Sequence, residues 1–107
     1  MTGLKPSELQ SRLLCVLEEL EHQQNVGNTY SEKFLSYADE MSQIREFIDV
    51  AGEYGLAYEY LVGAIELHPF VLSGKAAIAL LELGLTFGFK TEQAEDRVFD
   101  RRDLKPT

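Results

Sequence analysis

The sequence predicts an all-α protein, a compact bundle of about five helices, and three observations support this. Apolar residues recur every three or four positions along most of the chain, which is the spacing of one face of an α-helix. The turn at residues 52–55 separates two such apolar stripes, and they meet only if the chain reverses there as a helical hairpin. A length of 107 residues is typical of one domain. Residues 1–107 are therefore expected to form a single helical domain.

The first helix is predicted to begin at Ser7, which can act as its N-cap with Gln10 at the capping-box position. Its core-facing residues follow at helical spacing: Leu9, Leu13, Val16, Leu17 and Leu20. The helix is expected to end near Gln24, because the next segment, Asn25-Val26-Gly27-Asn28, has the composition of a turn.

A second helix is predicted to start at Thr29 or Ser31, with Glu32 three residues after Thr29 as in a capping box. Its apolar side is predicted to consist of Phe34, Leu35, Ala38 and Met41. The same periodicity continues through Ile44, Phe47, Ile48 and Ala51, so one bent helix can reach the turn. Gly52 is expected to adopt the left-handed conformation that ends helices, and Gly55 to permit close approach of the returning chain.

The returning helix divides into two predicted faces. Its inward residues are predicted to be Leu56, Ala57, Tyr60, Leu61, Ala64 and Ile65. Its outward residues are predicted to be Tyr58, Glu59, Val62 and Glu66. Pro69 must end this helix, because it lacks the backbone donor and disfavours helical geometry at the residue before it.

The last main helix is predicted to run from a Ser73 cap to Phe87, with Gly88 ending it. Nearly every face of this segment is apolar, so we expect it to be the central helix, with Leu81 in the core. One further short helix can form over residues 91–99. The tail is expected to fray from about residue 100.

The charge distribution limits the possible partners. The net charge is −8, and residues 1–89 contain 13 acidic and 5 basic residues, whereas residues 90–107 contain 5 of each. Affinity for nucleic acid comes mostly from Lys and Arg on phosphates, so a nucleic-acid partner is not expected. Two interpretations of the acidic helical body stay open. It can serve general solubility, or it can attract a basic protein partner.

Catalytic chemistry is sparse in the sequence. Cys15 has no second cysteine to pair with and is expected to be structural, and His22 and His68 lie near predicted helix ends, where they can interact with terminal carbonyls. The acidic cluster at Glu18, Glu19 and Glu21 is typical of a solvated helix face rather than of a metal site. No phosphate-binding loop is present. We therefore expect no enzyme activity, no cofactor and no metal.

The beginning of the sequence and its apolar runs bear on location. The first residues lack the apolar run of a secretory signal, and the longest apolar stretch, near residues 76–81, is far too short to span a bilayer. A cytosolic protein without a membrane segment is therefore expected.

One part of the chain resembles a known family. The residues that carry the likeness are Ile44-Arg45-Glu46-Phe47-Ile48, Gly52-Glu53-Tyr54-Gly55-Leu56-Ala57, Leu61, Leu72-Ser73 and the run from Leu80 to Gly84. This segment resembles the core of the immunity proteins that neutralise the Maf polymorphic toxins, and it is similar to immunity proteins of contact-dependent inhibition systems. The resemblance implies an all-helical inhibitor that binds its cognate toxin domain in the cytosol.

An acidic and aromatic set around the turn is the predicted partner-binding site: Glu46, Asp49, Glu53, Tyr54, Tyr58, Glu59 and Glu66. Tyrosine beside carboxylates can bury aromatic area while the carboxylates pair with a partner's Lys or Arg. The expected partner is a basic toxin domain with nuclease activity, and a ribonuclease is one candidate. The alternative function is a generic helical adaptor or regulatory module that binds through an apolar groove. Tyr54 can equally be a core residue behind the turn.

Overall fold

The computed structural model of the chain describes residues 4–31 and 35–88. These residues form five α-helices: α1 (Pro6–Glu21), α2 (Gln24–Gly27), α3 (Tyr37–Glu46), α4 (Tyr54–Leu67) and α5 (Gly74–Phe87). A π-helical segment (Phe47–Ala51) continues α3 without a break. No strand occurs in the described ranges, and the all-α prediction is confirmed. The predictions for Glu32, Phe34, residues 91–99 and the tail lie outside the described residues.

Helix α1 occupies the centre of the bundle. It contacts α3, the π segment, α4 and α5, and its fully buried residues are Leu13, Val16, Leu17 and Leu20. The prediction that α5 is central was wrong. The buried residues of α5 include Ala76, Ala79 and Gly84, whose small size lets one side of this helix lie close against α1. Its larger apolar residues Ile78, Leu81 and Leu85 remain exposed, so Leu81 is not a core residue.

The first helix begins two residues earlier than predicted, with Lys5 and not Ser7 as its N-cap, and it ends sooner. Pro6 occupies its first turn, where the missing backbone donor costs nothing. The backbone N–H of Lys5 donates to Glu8 Oε1 at 2.9 Å, so Glu8 takes the capping role predicted for Gln10. The helix ends at Glu21.

Helix α3 starts at a different cap from the one predicted. Ser36, not Thr29 or Ser31, is its N-cap, and Ser36 Oγ accepts a hydrogen bond from the backbone N–H of Asp39 at 3.1 Å. The core residues of α3 and the π segment include Met41, Ile44 and Ile48. Leu35, Ala38 and Ala51 are exposed, contrary to prediction. The late start leaves Leu35 outside the helix and turns Ala38 away from the core.

The predicted hairpin is confirmed by contacts at both of its ends. Near the turn, the rings of Phe47 and Tyr60 lie 5.2 Å apart, and at the open end the rings of Tyr37 and Phe70 lie 6.2 Å apart. Gly55 does not make the predicted close approach. A Cβ placed there would lie 3.9 Å from the ring of Phe87, which is ordinary contact.

Side chains at the end of α1 and just after it hold the connection between α4 and α5. Gln23 donates to the carbonyl of Val71 at 2.7 Å and accepts from its backbone N–H at 2.9 Å. Glu19 accepts from the backbone N–H of Ser73 at 2.8 Å and also from the Ser73 hydroxyl. Ser73 Oγ in turn accepts from the Ala76 N–H at 3.1 Å, so the predicted Ser73 cap is confirmed.

The two histidines have different roles. His22 Nδ1 lies 2.6 Å from the carbonyl oxygen of Glu18, which confirms the predicted interaction with the end of α1. His68 instead stacks on Tyr30, with ring centroids 3.7 Å apart and planes 8° from parallel. This stack places His68 in an aromatic cluster with Tyr30, Tyr37 and Phe70.

Candidate protein-binding surface

The turn at the end of the hairpin is held by its backbone. Gly52 has φ 64°, the left-handed conformation predicted for it, which glycine adopts without a Cβ clash. The carbonyl oxygen of Phe47 accepts a hydrogen bond from the backbone N–H of Gly52. It also accepts one from the backbone N–H of Glu53, at 2.8 Å. A left-handed glycine at this position is a common way for a helix to end. Backbone hydrogen bonds therefore fix the turn between the residues on its two sides.

Arg45 neutralises part of the acidic surface beside this turn. Its Nη2 and Nε lie 2.7 Å and 3.1 Å from the two carboxylate oxygens of Glu21, and its Nη1 lies 3.4 Å from Asp49 Oδ2. The hydrogen bonds with Glu21, more than the attraction of Asp49, raise the pKa of the Arg45 guanidinium. Gln10 Nε2 also donates to Asp49 at 3.4 Å. Asp49 is exposed but already has two partners within the chain.

Five exposed residues flank the turn, and together they form what we call the hinge face: Glu46, Val50, Glu53, Leu56 and Glu59. Val50 is 79% exposed, a large value for an apolar side chain. In the described part of the chain, none of the three glutamates forms an ion pair. The hinge face therefore combines apolar side chains with unpaired negative charge.

The hinge face is small enough for one partner to cover. Glu46 and Glu59 each lie about six residues from the turn, or about 9 Å along their helices at 1.5 Å per residue. Because the two helices form a hairpin, both glutamates lie toward the same end of the bundle. An apolar centre with a charged rim is the usual composition of a protein interface.

The other predicted site residues are distributed over the surface and the core. Glu66 is exposed two turns beyond Glu59 on α4 and lies outside the hinge face. Tyr54 is half-buried and packs against the core, as the core interpretation predicted. Tyr58 is only 3% exposed, so its predicted outward position was wrong.

The error at Tyr58 comes from the rotation of α4 about its axis. Its buried residues are Ala57, Tyr58, Leu61 and Ala64, a set rotated by roughly 40° from the predicted one at 100° per residue. Phe87 of α5 covers Tyr58, with ring centroids 5.4 Å apart. The same rotation turns Leu56 outward, although the apolar pattern predicted it inside.

Sequence reasoning missed the two apolar members of the hinge face, Val50 and Leu56. The available signal was their spacing with the acidic residues, because Glu46, Val50, Glu53, Leu56 and Glu59 follow one another at intervals of three or four positions. Within each arm of the hairpin, that spacing keeps Glu46 beside Val50 before the turn and Leu56 beside Glu59 after it. An apolar residue between acidic ones was not distinguished from a core residue.

The described residues do not form a catalytic arrangement at Cys15, the only cysteine. Cys15 and His22 line the same shallow groove beside α1, together with Lys75. They are seven residues apart, which corresponds to about 10 Å along a helix and is too far for a nucleophile and base to share a hydrogen bond.

The acidic cluster at the end of α1 has partners of its own. Glu19 bonds with Ser73, and Glu21 with Arg45. Hydrogen bonds from Ser73 lower the pKa of the Glu19 carboxyl. No group of three or more His, Cys, Asp or Glu residues within 4–31 and 35–88 has the arrangement of a metal site. None of the helices in these ranges has both the length and the apolar character needed to cross a membrane.

Comparison with known proteins adds no assignment to this geometry. No protein-family model, curated protein or solved structure matches the chain.

Proposed function

We propose that this protein is an immunity protein that binds a basic toxin domain through the hinge face and neutralises it. The observation that carries the proposal is the exposed negative charge of Glu46, Glu53 and Glu59 around Val50 and Leu56, which forms no ion pair within residues 4–31 and 35–88. Arg12 and Arg45, the arginines in the described part of the chain, are both engaged elsewhere in ion pairs. No cation of the described residues forms an ion pair with Glu46, Glu53 or Glu59, so a basic partner can approach the hinge face without displacing one of them.

The proposed inhibition follows from the chemistry of nuclease toxins. A nuclease must bind a phosphate backbone, which favours a basic cleft, and an acidic protein seated there excludes the substrate. Charge complementarity also accelerates association, which matters for an inhibitor that must act before its toxin does. The resemblance of residues 44–48, 52–57, 61, 72–73 and 80–84 to Maf and contact-dependent-inhibition immunity proteins supports the same function. The proposed site of action is the cytosol, and the proposed inhibition requires no cofactor.

The direct test is co-expression with a toxin domain encoded beside this chain. A large secreted protein with a variable C-terminal domain in the upstream reading frame identifies the candidate toxin. Co-expression is expected to restore growth of cells that produce the toxin domain, and the two proteins are expected to co-purify. Growth arrest that persists while both proteins are expressed and folded would exclude the immunity function for this toxin.

A matched pair of variants connects that function to the hinge face. Glu53→Lys changes the charge within the hinge face, and Glu18→Lys makes the same charge change on the exposed side of α1. Only Glu53→Lys is expected to reduce rescue and co-purification. Equal loss from both variants would indicate a general charge effect and would remove the hinge face from the proposal.

The generic helical adaptor remains the second candidate because α5 exposes several large apolar residues. An adaptor of that kind would bind a foreign protein through α5 and would be insensitive to the charge of the hinge face. Once a partner has been identified, the effect of Glu53→Lys compared with Glu18→Lys on its binding distinguishes the two functions.

A further inference from the structure

Helix α5 carries an apolar stripe that the described residues leave uncovered. Ile78, Leu81 and Leu85 are 61%, 52% and 48% exposed, and Val71 precedes them in the connection from α4. With Gly74 at the start of the helix, these residues follow one another at intervals of three, four, three and four positions. We call the set Val71, Gly74, Ile78, Leu81 and Leu85 the α5 stripe. Alternating intervals of three and four are typical of the seam between two helices of a coiled coil.

The charges beside the α5 stripe carry no acidic excess, unlike those of the rest of the described chain, and Arg12 of α1 already pairs with Glu82 there at 2.8 Å. The charged residues of α5 are Lys75 and Glu82, one of each sign. Each follows a stripe residue by one position, so both lie on the same flank of the stripe. Like charges across an interface oppose association. The acidic surface outside α5 would therefore repel a second acidic protein. On the described surface, the α5 stripe is an apolar region whose own helix carries no net negative charge.

A twofold axis makes this flank self-complementary. When two α5 helices pack antiparallel with Ile78 against Leu81 of the second copy, Gly74 lies opposite Leu85. In that register Lys75 of one copy and Glu82 of the second copy are offset by two residues, which is about 3 Å along the helix axis. Each copy then contributes one such pair of opposite charges. In a twofold interface each residue pair occurs twice, so the interface contains two pairs of Lys75 with Glu82.

Gly74 provides space at the ends of this arrangement. A Cβ built on Gly74 meets no atom within 4 Å, so the position is open to solvent on the described surface. In the antiparallel register the side chain of Leu85 from the second copy can lie over Gly74.

We propose that two copies of this chain associate through the α5 stripe as an antiparallel, twofold-symmetric pair. The paired segment is one helix of 14 residues, about 21 Å long, so the interface is small beside the roughly 800 Å² per partner of a stable complex. A reversible dimer is therefore expected. The α5 stripe shares no residue with the hinge face, so this inference does not depend on the proposed function.

Sedimentation equilibrium of the full chain over a range of concentrations tests the association. The parent is expected to shift from monomer to dimer as concentration rises, and Leu81→Asp is expected to raise the dissociation constant at least about tenfold. Leu67→Asp is the control, because Leu67 is an exposed leucine on α4 outside the stripe. A parent that stays monomeric, with the stripe covered by the chain itself or kept for a foreign partner, would overturn the proposal. So would a dimer that survives Leu81→Asp.

Mixing two charge variants tests the antiparallel register. Lys75→Glu alone and Glu82→Lys alone each place like charges across the proposed interface, so each is expected to dimerise more weakly than the parent. A mixture of the two variants is expected to form the mixed dimer preferentially, because all flanking pairs are then of opposite sign. Circular dichroism checks that both variants stay folded, since Glu82 also pairs with Arg12 at 2.8 Å. No preference for the mixed dimer would overturn the antiparallel arrangement.

Discussion

Gly27 lies directly against the ring of Tyr37. A Cβ built on Gly27 would come within 2.4 Å of Cγ and Cδ2 of that ring, closer than carbon atoms can approach. Both residues are buried, and the Tyr37 hydroxyl donates to the carbonyl of Leu20, which fixes the ring in place. The absence of a side chain at Gly27 therefore lets α2 pack against the start of α3.

The first prediction follows from that contact. Gly27→Ala is expected to lower the free energy of unfolding by about 1 to 3 kcal/mol, because the added methyl group must displace a buried aromatic ring. Urea denaturation measures the change. The matched control is Gly63→Ala in the middle of α4, where a Cβ meets no atom within 4 Å. That substitution is expected to be neutral or to stabilise by up to about 1 kcal/mol. Equal effects of the two substitutions would contradict the packing at Gly27.

The second prediction concerns the buried face of α4. Tyr58→Ala is expected to lower the free energy of unfolding by about 3 to 5 kcal/mol, because it removes a large side chain from the core. Glu59→Ala, one position further on the exposed side, is expected to change it by no more than about 0.5 kcal/mol. Thermal and chemical denaturation of both variants provides the comparison. A small effect of Tyr58→Ala would indicate that Tyr58 is exposed, and Tyr58 would again be a candidate contact residue.

The third prediction concerns stability at acid pH. Hydrogen bonds from Ser73 lower the folded-state pKa of Glu19, so the contribution of this contact is complete above the unfolded-state pKa of a glutamate, about 4.3. It is lost as the pH falls through the lower folded-state value. The free energy of unfolding is therefore expected to decrease on acidification through this range, and less steeply in Glu19→Gln. A parent and a Glu19→Gln variant with the same slope would contradict the assignment.

The fourth prediction concerns the cap of α5. Ser73→Ala removes the Oγ that accepts from Ala76 and donates to Glu19, and it is expected to cost about 1 kcal/mol. Ser73→Asp is the informative comparison. An aspartate can still cap the helix, but its charge opposes that of Glu19. If Ser73→Asp is as stable as the parent, the cap outweighs the contact with Glu19.

The fifth prediction concerns binding to the proposed toxin domain. Glu53→Lys combined with Glu59→Lys is expected to slow association and to weaken its dependence on salt, while helical content stays unchanged. Val50→Ser is expected to act mainly by faster dissociation, because it removes apolar contact without changing charge. Stopped-flow or surface-based kinetics at several salt concentrations separates the two effects. Unchanged kinetics in folded variants would show that binding uses another surface.

Local signals in the sequence predicted much of the fold and part of the candidate surface. Leu13, Val16, Leu17 and Leu20 repeat at helical spacing, and the structure buries all four. Gly52 and Ser73 were predicted from the backbone and capping preferences of their residue types. Glu46, Glu53 and Glu59 could be identified as surface residues because an unpaired carboxylate is rarely buried.

The errors share a physical cause, which is that apolar character alone does not tell which apolar residues a fold covers. Leu56 and Leu81 are as apolar as the core leucines and lie exposed, whereas Tyr58 was predicted to face outward and lies inside. These outcomes depend on how α4 is rotated and on which helix takes the centre. Both depend on contacts between segments far apart in the chain, such as that of Tyr58 with Phe87.

The sequence by itself determined that this chain is helical, where it reverses at Gly52, and that its helical body carries an acidic excess. These properties follow from periodicity, the conformational freedom of glycine and the count of charges, all of which are local. Only the tertiary structure decided that α1 is central and that Arg45 pairs with Glu21 and Asp49. It also decided that Val50 and Leu56 lie exposed among glutamates that form no ion pair in the described part of the chain. Packing of small residues such as Ala76 and Ala79 against α1 leaves the large apolar residues of α5 on its other side. The rotation of α4, which places Tyr58 against Phe87, leaves Leu56 exposed.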